Sequence, residues 1–330
     1  MTIHNPFTER SRIVEASRFA GRWRELSIIF DAIESRRPVL VTGPPGIGKS
    51  SLLTHIVASA AVNLEEPSLA TFYLALHEQA TPDDVYHTVL QALSEPGTTA
   101  AALEVALLQL DIPVLLCLDD VHRAFAAGWG GLLLDTLARI ARDGLLILVA
   151  ALEGDAPLTG ERFAVVRLGA FAPSEVRLLA ESYLEGTDVI FTPSELRALT
   201  DVSAGHPAYL QRAAYHLFES RRNGGDWRAR FLADVRNRPV PGAPLPPAAF
   251  EGEGEDEMMR PGAVTSSVTG LQRDPAHLPL PELPRGLLLL VAPMAAMLLF
   301  LATGNMTGAF LLAAFGCVVT AAWLYRRNIS

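Results

Sequence analysis

Residues 43–50 read Gly-Pro-Pro-Gly-Ile-Gly-Lys-Ser, GPPGIGKS, and match the pattern GxxxxGK[ST] with Gly43, Gly48, Lys49 and Ser50 in its fixed places. Lys49 is the one lysine among 27 basic residues, the rest being arginine. A surface cation can be either residue, so a lysine kept at this position alone calls for a reason. A glycine-rich turn between a strand and a helix lets successive backbone N–H groups surround a polyphosphate, and the helix N-terminus adds the positive end of its dipole. A lysine there reaches the β- and γ-phosphates as a compact point charge, and the hydroxyl that follows it serves Mg2+. Arginine's planar fork is a poor substitute in that slot.

By chance the pattern is expected in roughly one chain in a hundred of this size. The competing reading is a Pro-Gly surface turn, and the flanks argue against it. RPVLVTG (37–43) is an apolar β-type run, and KSSLLTHIVASAA (49–61) has helical apolar spacing. Gly43, Pro44, Pro45, Gly46, Ile47, Gly48, Lys49, Ser50 and Ser51 are therefore the expected phosphate-binding set, for ATP or ADP with Mg2+.

Working outward, LATFYLAL (69–76), IPVLLCLDD (112–120), LLILVAAL (145–152) and RFAVVRL (162–168) read as further strands, separated by helical patterns such as TPDDVYHTVLQALSE (81–95) and LLLDTLARIARDG (132–144). Strands alternating with helices imply an α/β fold with a parallel sheet covered on both faces. From residue 172 the pattern becomes all-helical. APSEVRLLAESYLEG, TPSELRALTDVSAG and HPAYLQRAAYHLFESRRNGG each begin at a capping or proline signal and end near glycine. The expected organisation is a phosphate-loop core over 1–171 and a helical lid over 172–238. A Pro/Gly/acidic linker over 239–285 and an apolar hairpin over 286–325 complete it.

Residues 286–325 contain no charged side chain. As one straight helix they would extend about 60 Å, twice a hydrocarbon core of about 30 Å. TGNMTG (303–308) divides them into two segments, with Arg285 before and Arg326 and Arg327 after. The positive-inside rule then places both ends in the cytoplasm, giving a two-pass protein of the inner membrane in contact with lipid. A single span with an interfacial segment, or a buried soluble hairpin, is the alternative.

The chain has 330 residues and a formal net charge of −9, so no broad basic face is implied and nucleic acid is not the expected partner. Cys117 and Cys317 offer neither a disulfide framework nor metal spacing. MTIHNPFTERSR lacks the apolar stretch of a signal peptide.

VLLCLDD (114–120) supplies the second half of the nucleotide site. Asp119, at the strand's C-terminal end, is expected to serve Mg2+ opposite Ser50, and Asp120 to be the general base that polarises the attacking water. The plainer reading is a pair of carboxylates capping the next helix. Lys49 and Asp120 are the expected catalytic pair.

RFAGRWREL (18–26), VLVTGPPGIGKSSLL (39–53), LLCLDDVHRA (115–124) and SAGHPAYLQRAA (203–214), in that order, resemble the STAND branch of P-loop ATPases, relatives of AAA+ proteins. The resemblance covers roughly residues 5–236 and implies an ATP-driven switch. It further implies that Phe19, Gly21 and Arg22 close over the adenine, and that Gly205 and Pro207, flanking His206, bring the lid to the nucleotide. Relatives usually carry an arginine or polar residue at the end of the fourth strand, where this chain has Leu152 and Glu153; Arg162 is a possible substitute. Slow hydrolysis and self-association follow as expectations, with an unidentified protein partner and a possible role in bacterial defence. A membrane ring motor and a nucleotide-bound scaffold are the competing functions.

Overall fold

In the computed structural model of the chain, residues 4–8, 12–154 and 162–250 are described. They begin with α1 (Trp23–Glu34), β1 (Val39–Gly43), α2 (Lys49–Asn63), β2 (Ala70–Ala75) and α3 (Pro82–Ala92). There follow α4 (Ala100–Gln109), β3 (Val114–Asp119), α5 (His122–Ala126), α6 (Gly130–Arg142), β4 (Ile147–Glu153) and β5 (Ala164–Arg167). The five strands form one sheet in the order β2-β3-β4-β1-β5, and every pairing is parallel.

The sheet is buried on both faces because its central strands are apolar throughout. Successive side chains of a strand point to opposite faces. Leu40, Leu116, Leu118, Leu148 and Ala150 join the cluster under α3, α4 and α6. Their neighbours Val39, Val41, Cys117, Val149 and Ala151 join the cluster under α1 and α2. Leu52, Leu53 and Ile56 of α2 are completely buried there, each contributing about 1.5–3 kcal/mol relative to exposure. This burial anchors α2, and with it the first turn that follows the glycine-rich loop. Within the described residues the strands and helices expected from periodicity are all present; α1, α5 and α10 are additional, and so is α4. A helix signal is weak there because AAALEVALLQ is apolar on nearly every side.

The second part is α7 (Pro173–Leu184), α8 (Pro193–Ser203), α9 (Pro207–Asn223) and α10 (Trp227–Asn237). The first three open with proline, which needs no partner for the N–H it lacks. Thr192 and Glu195 form a capping box on α8, and Asp226 caps α10. Val176, Leu179, Leu199, Leu210, Phe218 and Phe231 fill the centre.

Two features of this helical part fall outside the expected boundaries. Phe7, from a stretch grouped with the core, is fully buried among the lid helices, with its ring 5.2 Å from Tyr183 and 5.8 Å from Phe191. Asn5 beside it donates to the carbonyl of Tyr215 and to Glu219. Residues 239–250, the opening of the stretch read as linker, are packed as well. Val240, Ala248 and Ala249 are buried, and Arg236 donates twice to the Ala249 carbonyl, at 2.9 and 2.6 Å. Proline-rich composition conceals this because the segment docks without a repeating apolar face.

Among the described residues no helix is long and apolar enough to cross a membrane. The rest of the expected linker, 251–285, and the expected transmembrane hairpin, 286–325, lie outside the described residues.

Candidate functional site

The glycine-rich loop joins the C-terminal end of β1 to the N-terminus of α2, as the GPPGIGKS pattern requires. Gly43, Gly46 and Gly48 have φ of 155°, 69° and 100°, and the last two lie in the left-handed region that glycine adopts without penalty. A Cβ on Gly48 would meet nothing within 4 Å, so the loop is open on that side. A Cβ on Gly46 would come within 2.9 Å of His206 and 2.8 Å of Val240, because the lid rests directly on the loop there. Open backbone at a helix N-terminus is the cradle a polyphosphate needs.

Lys49 is nearly buried, and its Nζ donates to the carbonyls of Gly43 and Pro44, both at 2.9 Å. Burial pulls its pKa below the ordinary lysine range, opposed by the charges of Glu153, Asp119 and Asp120. Ser50 lines the cavity beside it. Ser51 has a second duty: its Oγ accepts the backbone N–H of Ile13 at 2.9 Å, tying the N-terminal segment to α2.

The cavity between loop and lid has a volume of about 370 Å3. Lys49, Ser50, Asp120 and Glu153 line it together with Arg12 and Arg22, and its apolar lining includes Ile13, Ala20, Phe171 and Leu179. From the lid come Pro207, Ala208, Gln211 and Arg212.

The two carboxylates after β3 are placed differently. Asp119 is 1 % exposed; its Oδ2 accepts from the Tyr73 hydroxyl at 2.6 Å and its Oδ1 from the Asp120 N–H at 2.8 Å. Burial, reinforced by that carboxylate, holds the Tyr73 phenol protonated well above its usual range. Asp120 reaches the cavity itself from a left-handed backbone with φ of 58°. Burial raises its pKa first and the Asp119 charge second, while Arg123, at 3.6 Å, opposes both.

Phe19 lines the cavity and stacks on His55, with ring centroids 4.2 Å apart. Arg22 also reaches the cavity, but its guanidinium is committed to the protein. It donates to the carbonyls of Ile47 at 3.1 Å and Gly169 at 2.7 Å, pairs with Glu25 at 2.9 Å, and covers the Phe171 ring at 4.6 Å. Gly21 lets the backbone turn so that Arg22 N–H meets Glu175 at 2.8 Å. These residues therefore fix the loop and the β5–α7 connection from behind.

Pro207 opens α9 and lines the cavity, and His206 before it makes the lid's polar contact with the loop, Nε2 to the Pro45 carbonyl at 3.0 Å. Arg162 is elsewhere: it pairs with Asp135 of α6 at 2.5 Å and is not on the cavity wall. Glu153, noted in the sequence at the end of the fourth strand, ends β4 and lines the cavity. Sequence reasoning passed over Arg212 and Gln211, although Ala208, Gln211 and Arg212 share one face of a helix beginning at Pro207, and that spacing was readable.

Among the described residues no group of three or more His, Cys, Asp or Glu could hold a metal alone. Mg2+ characteristically takes one or two carboxylates plus substrate phosphates, which suits Ser50 and the β3 carboxylates beside an open phosphate loop.

Residues 32–152 match the family model described as AAA domain. Among solved structures, a Walker-type ATPase of Pyrococcus abyssi is similar at 14% identity, over 70% of this chain and 76% of that one, with a TM-score of 0.50. The structure of Drosophila ORC bound to DNA is similar at 16% identity, over 70% of this chain and 64% of that one, also with a TM-score of 0.50. No curated protein matches the chain. Residues 32–152 thus match an AAA-domain model, and the core shares the P-loop fold of these structures.

Proposed function

We propose that this AAA-type P-loop chain is a Mg2+-ATP-dependent switch of the STAND kind, in which nucleotide binding joins the core to the helical lid. The observation that carries the reading is the seating of α9 on the glycine-rich loop, with His206, Ala208 and Val240 packed against Gly46. A ligand held by that loop would touch both parts, and its loss would free one from the other.

Lys49 and the N–H groups opening α2 would neutralise the phosphates, and Arg212 on the lid wall, whose guanidinium donates to the Arg238 carbonyl, would add its charge. Ser50 and Asp119 would hold Mg2+, Asp119 through a water because its oxygens already accept from Tyr73 and Asp120. The metal would supply charge neutralisation between the phosphates. Asp120, with its raised pKa, would take the proton of an attacking water. Phe19 and the apolar walls would receive the base, while Arg22 and Gly21 would keep those walls in place.

A second reading, a nucleotide-bound scaffold with little turnover, is favoured by one observation: Glu153 stands at the end of β4 and Arg162 is paired away from the site. Anchoring by 286–325 at the cytoplasmic face of the inner membrane, self-association, a protein partner and a defence role extend the proposal from the sequence. Nucleic acid remains a secondary candidate: the net charge of −9 opposes it, whereas the Drosophila relative is bound to DNA.

The test is Mg2+-ATP titration of the full chain and of Lys49→Ala, with turnover measured alongside. Magnesium-dependent binding that Lys49→Ala weakens at least tenfold supports the site. Equal affinity in the two proteins ends the proposal, and tight binding without turnover selects the scaffold.

A further inference from the structure

Gln211 lies on the lid wall of the cavity, yet both its amide atoms, Oε1 and Nε2, are buried and neither has a hydrogen-bond partner within the protein. The residue is 6 % exposed. A carboxamide offers two donors and an acceptor with two lone pairs, and burying it without partners costs stability that leucine at the same place would not. Helix α9 meets the phosphate loop at its N-terminal end, through His206 and Ala208. Gln211 follows one turn later, about 6 Å further along the axis. The walls available there include Leu179 and Phe171 of the lid side and Ala20 and Ile13 of the N-terminal segment, an apolar slot suited to a flat ring.

We infer that the Gln211 carboxamide reads the edge of the nucleobase, accepting from an exocyclic amine and donating to the adjacent ring nitrogen. Adenine presents that pair at N6 with N1 or N7, and a side-chain amide matches it with two parallel hydrogen bonds. Both amide atoms are enclosed by protein, so the group reaches the cavity face by a change of rotamer at χ1 or χ2, and the terminal torsion, broad for an amide, then aligns it. The inference rests on the nucleotide reading above and adds base selection to it: the loop selects phosphates, and Gln211 selects what they are attached to.

The experiment compares the full chain with Gln211→Leu and Gln211→Glu, titrating Mg2+-ATP and Mg2+-tripolyphosphate and recording the melting temperature without ligand. Gln211→Leu is expected to weaken ATP at least tenfold, to leave tripolyphosphate within twofold, and to keep or raise the melting temperature. Gln211→Glu loses the donor and weakens ATP likewise. Unchanged ATP affinity in Gln211→Leu overturns the inference, as does an equal loss for both ligands or a lowered melting temperature, each of which marks a structural amide. A wild-type chain that binds neither ligand defeats the nucleotide reading itself, an outcome distinct from these.

Discussion

His206 Nε2 lies 3.0 Å from the carbonyl oxygen of Pro45, so a single imidazole joins the lid to the phosphate loop. The carbonyl can only accept, so Nε2 carries the proton. Nδ1 is buried without a partner, and the neutral ring satisfies the site. Adding a proton there would bury an unpaired N–H and a charge, and burial accordingly lowers the pKa, with Lys49 adding to the effect. The folded form therefore binds the proton less readily than the unfolded chain. Stability from this contact is complete above the unfolded value of about 6.5 and is lost as pH falls through that value toward the depressed one. Melting temperature is expected to drop between about pH 7.5 and pH 5.5, and His206→Gln, which keeps a donor but does not titrate, to flatten the drop. Identical pH slopes in the two proteins would remove the histidine from the latch.

Lys49→Ala is expected to fold. The substitution removes a desolvated ammonium whose donors go to two loop carbonyls, and those carbonyls lie at the edge of a cavity where water can replace the donor. Charge-assisted hydrogen bonds contribute about 1.5–3 kcal/mol, so Mg2+-ATP affinity falls by roughly 10- to 150-fold. Calorimetric titration reads this directly. Lys49→Arg is expected to recover little, because a planar fork does not reproduce a point charge between carbonyls.

Arg22 predicts a stability effect with no direct role in chemistry. Its side chain is nearly inaccessible and joins Ile47 of the loop to Gly169 before α7, with Glu25 as its counter-charge. Arg22→Ala leaves a partly buried carboxylate and two carbonyls without a donor, at a cost of about 3–5 kcal/mol. Denaturant unfolding should show that loss, and Arg22→Lys should not restore it, since one ammonium cannot reach both carbonyls in the same geometry.

Much of this is legible in the sequence because the core is locally consistent. GPPGIGKS between an apolar strand and a patterned helix can form only one common arrangement, and IPVLLCLDD has no polar face to expose. What escaped was long-range. Phe7 lies far in sequence from Tyr183 and Phe191, and no periodicity announces that it will lodge between them. Val240, Ala248 and Ala249 sit in a proline-rich run whose burial depends on the neighbouring helices. The adjacency Asp119-Asp120 was plain, but which of the two would face the cavity depended on a left-handed φ at Asp120 that composition does not signal. Gln211 is easily passed over, although its spacing from Ala208 is legible, because a polar residue on a helix ordinarily reads as solvent-facing.

Phe7→Ala tests the first of those long-range contacts. Removing a fully buried ring from an aromatic cluster typically costs 3–5 kcal/mol, here concentrated in the lid and the strap that reaches it. Hydrogen exchange is expected to rise in α7 and α9 while β1, β3 and β4 keep their protection, because the sheet clusters do not include Phe7. A uniform loss of protection would mean that lid and core unfold as one unit.

Asp120→Asn isolates chemistry from binding. Asparagine tolerates the left-handed backbone at least as well as aspartate, so the loop geometry at φ of 58° is retained. The amide also keeps the polar volume that faces the cavity. It cannot take a proton from water, and general-base catalysis is typically worth 10^2–10^4 in rate. Turnover is therefore expected to fall by about two orders of magnitude or more while Mg2+-ATP affinity stays within a few-fold of wild type. Asp120→Ala should in addition lower the melting temperature, since alanine pays for the left-handed conformation without a side chain to stabilise it. Because burial and the Asp119 charge raise the Asp120 pKa, wild-type turnover should decline with falling pH starting above the ordinary aspartate range. Turnover in Asp120→Asn equal to wild type would transfer the base to another group and leave Asp120 as a partner of Arg123 alone.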